Sequence, residues 1–144
     1  MPELPEVETV RRGLQTRVVD DRIESATLSR PDMLVGTSYM SVAALEGKRI
    51  IGTGRRGKVL WLALEDHVGL GIHLGMSGQL RLLPPDFPAP KHTHLTLELK
   101  SSNRLVYVDP RRFGRLELLD TRRIDEAALL RNYGVDALSE LLTA

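Results

Sequence analysis

The first three residues, Met1-Pro2-Glu3, hold the most reactive arrangement in the chain. Removal of Met1 leaves Pro2 as a terminal secondary amine. An α-amino group titrates at about 8, against about 10.4 for lysine, so at neutral pH a useful fraction is an uncharged nucleophile. The positive end of a helix just downstream lowers that value further. A secondary amine attacking an aldehyde-level carbon gives a cationic iminium directly, an electron sink that labilises neighbouring bonds. Glu3 is adjacent and suits a general acid, and Glu6 lies one turn on, where it would bind or orient. With Met1 retained, the Pro2 nitrogen is an amide and this chemistry is closed. The same residues also make a plain helix start in which the acids only cap.

Three basic corners complete the chemical inventory. Lys48-Arg49 and Arg55-Arg56-Gly57-Lys58 place five cations within eleven residues with no acid between them. Arg111-Arg112-Phe113-Gly114-Arg115 sets an aromatic among arginines after Asp109-Pro110, and Lys91-His92-Thr93-His94 adds a third polar corner. Cations beside glycine, where backbone can approach closely, suit a phosphate track. Phe113, and Met76 in His73-Leu74-Gly75-Met76-Ser77-Gly78, are candidates to wedge into a base stack. The alternative is a solvated charged face with both side chains in the core.

These corners need elements to hold them. Val7, Val10, Leu14 and Val18 recur on a 3.6-residue period and predict a first helix, with Pro5 and Glu6 fitting its first turn. Short β-type segments follow at roughly 22–30, 48–55, 58–65, 68–75, 78–83, 93–100, 104–109 and 114–119, split by Gly, Pro, Asn or Asp. Leu95, Leu97 and Leu99 alternate with Thr96, Glu98 and Lys100, and Ser101-Ser102-Asn103 makes a tight turn. A short helix is expected at 41–46, and the four prolines between Leu83 and His92 predict an irregular loop. A last helix is expected over about 123–132, with Asp125 as cap and Gly134 as stop. The order predicts a mainly β fold with flanking helices: a two-layer antiparallel sandwich of about eight strands. Ser139 to Ala144 reads as the opening of a further helix, as in one domain of something larger.

Composition sets the outer bounds. The chain has 144 residues, 42% hydrophobic and 27% charged, enough for one domain with a core. No apolar run approaches the roughly 18 residues of a membrane span, and the acidic N-terminus is no signal peptide. There is no cysteine, and the four histidines (67, 73, 92 and 94) leave too few ligands for a structural zinc site. Net charge is +1, yet most of the 20 basic residues are arginine, the better bidentate partner for phosphate.

MPELPEVET at 1–9, GRRGK at 54–58, HLGMSG at 73–78, KHTH at 91–94 and DPRRFG at 109–114, in this order, resemble the N-terminal domain of formamidopyrimidine-DNA glycosylase. The resemblance implies a base-excision glycosylase/AP lyase acting on oxidised purines, 8-oxoguanine and formamidopyrimidines, in double-stranded DNA. Under it Pro2 is the nucleophile that attacks the sugar, Glu3 protonates the ring oxygen, and the iminium then permits strand cleavage by elimination. Lys58 contacts phosphates around the lesion, with His73, His92 and Arg112 helping to hold the backbone. Met76, Arg111 and Phe113 fill the gap left by the flipped nucleotide, Arg111 pairing with the orphaned cytosine, and Glu6 lies at the lesion pocket.

The same resemblance divides the chain into a catalytic domain at 1–134 and, at 135–144, the start of a helix-two-turn-helix region. The rest of that region and the family's zinc finger are missing, so no cofactor is expected in this chain. Isolated, it is expected to be weakly active or inactive, and a dimer through the uncovered face is an expectation. A bacterial, cytoplasmic, nucleoid-associated location and no membrane partner go with this reading. The alternative is a non-catalytic DNA-binding fragment needing its other half. A proline-dependent tautomerase has no use for GRRGK or DPRRFG.

Overall fold

The computed structural model describes residues 4–29, 31–35, 41–111 and 114–130. Helix α1 (Leu4–Arg17) is followed by eight strands: β1 (Ile23–Leu28), β2 (Ile50–Arg56), β3 (Val59–Leu64), β4 (Val68–His73), β5 (Gln79–Leu83), β6 (Thr93–Leu99), β7 (Arg104–Val108) and β8 (Arg115–Asp120). They form two four-stranded sheets, ordered β1-β6-β7-β5 and β2-β3-β4-β8, with every pairing antiparallel. The predicted two-layer sandwich is present, and the eight strands fall on the eight segments read from the sequence. No helix among the described residues is long and apolar enough to cross a membrane.

Side-chain alternation explains the layering. In β3, Leu60, Leu62 and Leu64 enter the core between the sheets, while Val59 and Trp61 join a second apolar cluster on the far face. Leu95, Leu97 and Leu99 of β6 enter the same main core, opposite exposed Glu98, as the alternation requires. Strand β7 is buried on both faces: Leu105 and Tyr107 face the core, and Val106 and Val108 pack with Leu83. Helix α1 closes one side through Val7 and Leu14, with Val18 just past its end and Val10 packed at the margin. Each fully buried aliphatic side chain stabilises the fold by about 1.5–3 kcal/mol before ordering costs.

Two expected helices differ. The segment near 41–46 is a short 3-10 turn, Val42–Leu45. After β8 the chain makes a 3-10 turn, Thr121–Glu126, capped by Asp120, which accepts from the Arg122 N–H, and α-helix begins only at Ala128. Asp125 is therefore no cap; its carboxylate pairs with Arg56. The reason lies in β8. The buried Glu117 carboxylate accepts the N–H groups of Ala128 (3.0 Å) and Leu129 (2.9 Å), so a side chain from the neighbouring sheet fixes where this helix starts. The expected stop at Gly134 and the segment 135–144 lie outside the described residues.

Candidate nucleic-acid interface

The β2–β3 hairpin is built for its tip. Arg56 pairs with Val59, which leaves Gly57-Lys58 as a two-residue loop. Gly57 has φ +61°, and of the two only it is left-handed, the pattern of a type II′ turn. Lys58 thus stands at the end of a rigid ribbon. Helix α1 is tied to that ribbon by Glu8, whose Oε1 accepts from Arg55 Nε (3.0 Å) and Arg11 Nε (2.9 Å). Its Oε2 accepts from Arg11 Nη2 (2.7 Å) and Arg12 Nε (2.9 Å), and Arg55 Nη1 also donates to the Gly57 carbonyl (2.8 Å). Hydrogen bonds from Arg11, then Arg55, hold the Glu8 carboxyl well below the usual carboxylate range.

His73 ends β4, opposite Val59 on one side and Arg115 on the other. Burial, then the charges of Lys58 and Arg115, push its pKa below the ordinary value, so the imidazole is neutral near pH 7. Its Nδ1 accepts the Gly75 N–H (3.2 Å), which puts the proton of the neutral ring on Nε2. The chain then turns through Leu74–Gly78, where the Gly78 N–H returns to the Leu74 carbonyl (2.9 Å). That turn carries Met76, whose side chain is 49% exposed although large and apolar. It is no core residue.

Two of the basic corners and the HLGMSG turn meet at Asp109, which is fully buried (0% exposed). Oδ1 accepts from Ser77 Oγ (2.6 Å) and the Arg111 N–H (3.2 Å), and Oδ2 from Tyr107 OH (2.8 Å) and the Gly114 N–H (2.8 Å). Its main chain donates to the His92 carbonyl (3.0 Å) and meets His94 Nε2 at 2.8 Å through the carbonyl. Burial alone would raise this carboxyl, but the bonds from Ser77, Gly114, Tyr107 and Arg111 outweigh it and the net direction is down. Burial, and then this same contact, push the Tyr107 phenol well above its ordinary value. HLGMSG, KHTH and DPRRFG, distant in sequence, are thus joined at one residue, KHTH through its main chain and the other two through its carboxylate.

A cleft of about 540 Å³ opens between the start of α1 and β5, lined by Glu6, Val10, Leu74, Met76, Gln79 and Arg81 among others. Of the residues selected from sequence, Glu6 and Met76 share this cleft, Lys58 and His73 are neighbours, and Arg111 and exposed His92 attach to Asp109. Pro2, Glu3, Arg112 and Phe113 lie outside the described residues. Sequence reasoning missed Asp109, Ser77, Gln79 and Arg81 as candidates. The alternation of Gln79 and Arg81 with Leu80 and Leu82 marked one polar face of β5; a buried carboxylate leaves no such periodic trace.

Residues 1–116 match the family model described as the formamidopyrimidine-DNA glycosylase N-terminal domain. The chain belongs to that family. It is 40% identical over 140 residues to the formamidopyrimidine-DNA glycosylase of Acidiphilium cryptum, covering 97% of this chain and 50% of the relative. The corresponding enzyme of Rhodococcus opacus is 44% identical over 130 residues, covering 87% and 45%. The Lactococcus lactis Fpg protein, in crystal structures with FAPY-dG-containing and with abasic-site-containing DNA, superposes with a TM-score of 0.78 at 42% identity, over 85% of this chain. The chain spans about half the length of these glycosylase relatives, as the sequence resemblance implied.

Proposed function

We propose that this glycosylase-family domain binds damaged double-stranded DNA and, once Met1 is removed, attacks the lesion through Pro2. The carrying observation is the cleft at the start of α1, where Glu6 and exposed Met76 line one pocket of about 540 Å³. Pro2 and Glu3 directly precede that helix in sequence. The Pro2 amine forms a bond to C1′ as the glycosidic C–N bond breaks, and the proton the amine sheds passes to the departing base. Glu3 delivers a proton to the sugar ring oxygen, and the C1′–O4′ bond opens to leave an iminium. The resulting iminium acidifies the adjacent carbon, and elimination expels first one phosphate and then the other. Lys58, His73, His92 and Arg112 hold phosphates; Met76, Arg111 and Phe113 occupy the vacated stack, with Arg111 on the orphaned cytosine. Oxidised purines are the substrate class. The isolated half-length chain binds weakly, since losing a few phosphate contacts lowers affinity by orders of magnitude at physiological salt.

Borohydride trapping tests the reading. The processed chain, mixed at low salt with duplex carrying 8-oxoguanine or an abasic site, should give a covalent adduct, and the Met1-retaining form none. A processed chain that never traps, at any concentration that saturates binding, removes the catalytic part and leaves a DNA-binding module. Binding indifferent to salt removes both.

A further inference from the structure

Among the described residues, four neutral donors and no cation converge on the Asp109 carboxylate: Ser77 Oγ, Tyr107 OH and the N–H groups of Arg111 and Gly114. A buried charge without a counter-ion is costly and persists only where hydrogen bonds replace its water. Packing alone would not retain it, because a shape-matched amide would set its NH2 against a main-chain N–H on either side, Arg111 or Gly114, and neither can accept as a hydroxyl can. The geometry of the bonds says what the charge is for. Ser77 adjoins Met76 in one loop, while Arg111 and Gly114 are the two ends of the other. Both loops also rest on Tyr107: a methyl on Gly78 or on Gly114 would strike the Tyr107 hydroxyl. Tyr107 itself is fully buried in the main core. So Ser77 and Gly78 on one side, and Gly114 on the other, rest on the same two side chains, with Arg111 held on Asp109.

We propose that Asp109 is a positioning residue that fixes the Met76 loop to Arg111 and Gly114, so that Met76 and Arg111, both assigned to the gap in the DNA, enter it together. The inference rests on the reading of Met76 and Arg111 given above. Ser77 is its separable link. Ser77→Ala cuts the Met76 loop from Asp109 and leaves the other three bonds in place, whereas Asp109→Asn disturbs the whole cluster and threatens folding.

The experiment has two arms on the full 144-residue chain. In hydrogen exchange without DNA, amides of residues 74–79 should exchange about tenfold faster in Ser77→Ala, with Gly114 unchanged and Ser77→Thr restoring protection. Equal exchange of 74–79 in wild type and Ser77→Ala overturns the link. In the DNA arm, preference is the ratio of Kd values for undamaged duplex and duplex with a tetrahydrofuran abasic analogue opposite cytosine. A Met76→Ala/Arg111→Ala double-mutant cycle on that preference should show about tenfold coupling in wild type and none in the Ser77→Ala background. Additive effects in wild type, or coupling that survives Ser77→Ala, overturn the proposal. A wild-type chain that binds both duplexes equally overturns instead the reading on which it rests, and the exchange arm still decides the link.

Discussion

Two carboxylates organise this domain in opposite ways. Glu8 gathers the guanidinium groups of Arg11, Arg12 and Arg55 at a partly exposed surface and ties α1 to the β2–β3 hairpin. Asp109 gathers hydroxyls and main-chain N–H groups with no solvent access and ties the Ser77 loop, Arg111 and Gly114 to Tyr107 of β7. At Glu8 the attraction is between full charges, which water and salt weaken and which spare partners can replace. At Asp109 the partners are neutral, short-range and irreplaceable, because water cannot enter to substitute. Charge pairing at the rim tolerates change; a buried hub does not. That difference orders the expected effects.

The largest effect is expected from Asp109→Asn. Its amide would face donors on whichever side it turned, leaving buried groups unsatisfied at a loss of about 3 kcal/mol. Urea titration at pH 7 reads it, and a loss under about 1 kcal/mol would contradict the hub. The pH sense follows from the lowered carboxyl. A depressed acid contributes stability that is fully present above the unfolded value of about 3.9 and lost as pH falls through the folded value. Acid unfolding of Asp109→Asn should therefore lack that slope.

Next comes Gly114→Ala. The added methyl would meet the Tyr107 hydroxyl and the His73 carbonyl, backbone that cannot yield, so about 2 kcal/mol should be lost. Gly52→Ala is the control. Nothing lies within 4 Å of a methyl there, and its melting should stay within about 0.5 kcal/mol of wild type. Similar losses at both sites would mean that these glycines matter for reasons other than the packed contacts at Gly114.

His73 carries the third effect. Its folded pKa lies below the ordinary value through burial and the charges of Lys58 and Arg115. Above about pH 6.5 the ring is neutral in both states and contributes no slope. As pH falls below that, the unfolded chain takes the proton first, so stability declines down to the folded value. Urea midpoints between pH 8 and pH 5 should fall more steeply for wild type than for His73→Gln. Equal slopes would place His73 in a wetter setting than the one described.

The same contrast explains what could be read from the chain alone. Periodicity reports burial on a face, so the stripe Val7, Leu14, Val18 and the alternating leucines of β3 and β6 gave helix, strands and sandwich. The basic corners could be read because charge and glycine cluster locally in sequence. The hub could not. Asp109 draws on residues 77, 94, 107, 111 and 114, and an aspartate before proline looks like any turn residue. The misplaced last helix has the same origin: its start is set by Glu117, eleven and twelve residues upstream of the N–H groups it caps, instead of by local Asp125.

The smallest effect is expected from Glu8→Gln, and its form matters more than its size. The amide keeps the side-chain shape and one acceptor oxygen, so Arg55 can still bridge to the Gly57 carbonyl and hold the hairpin. What disappears is the charge that offsets Arg11, Arg12 and Arg55, leaving three cations crowded between α1 and β2. Repulsion among exposed cations is screened within about 10 Å at 0.1 M salt. Destabilisation by Glu8→Gln should therefore be visible in thermal melts at 10 mM salt and vanish near 1 M. Asp109→Asn should lose the same stability at both. A Glu8→Gln loss that persists at high salt would show that the rim carboxylate works as the buried one does, through specific bonds, and the distinction between the two regions would collapse.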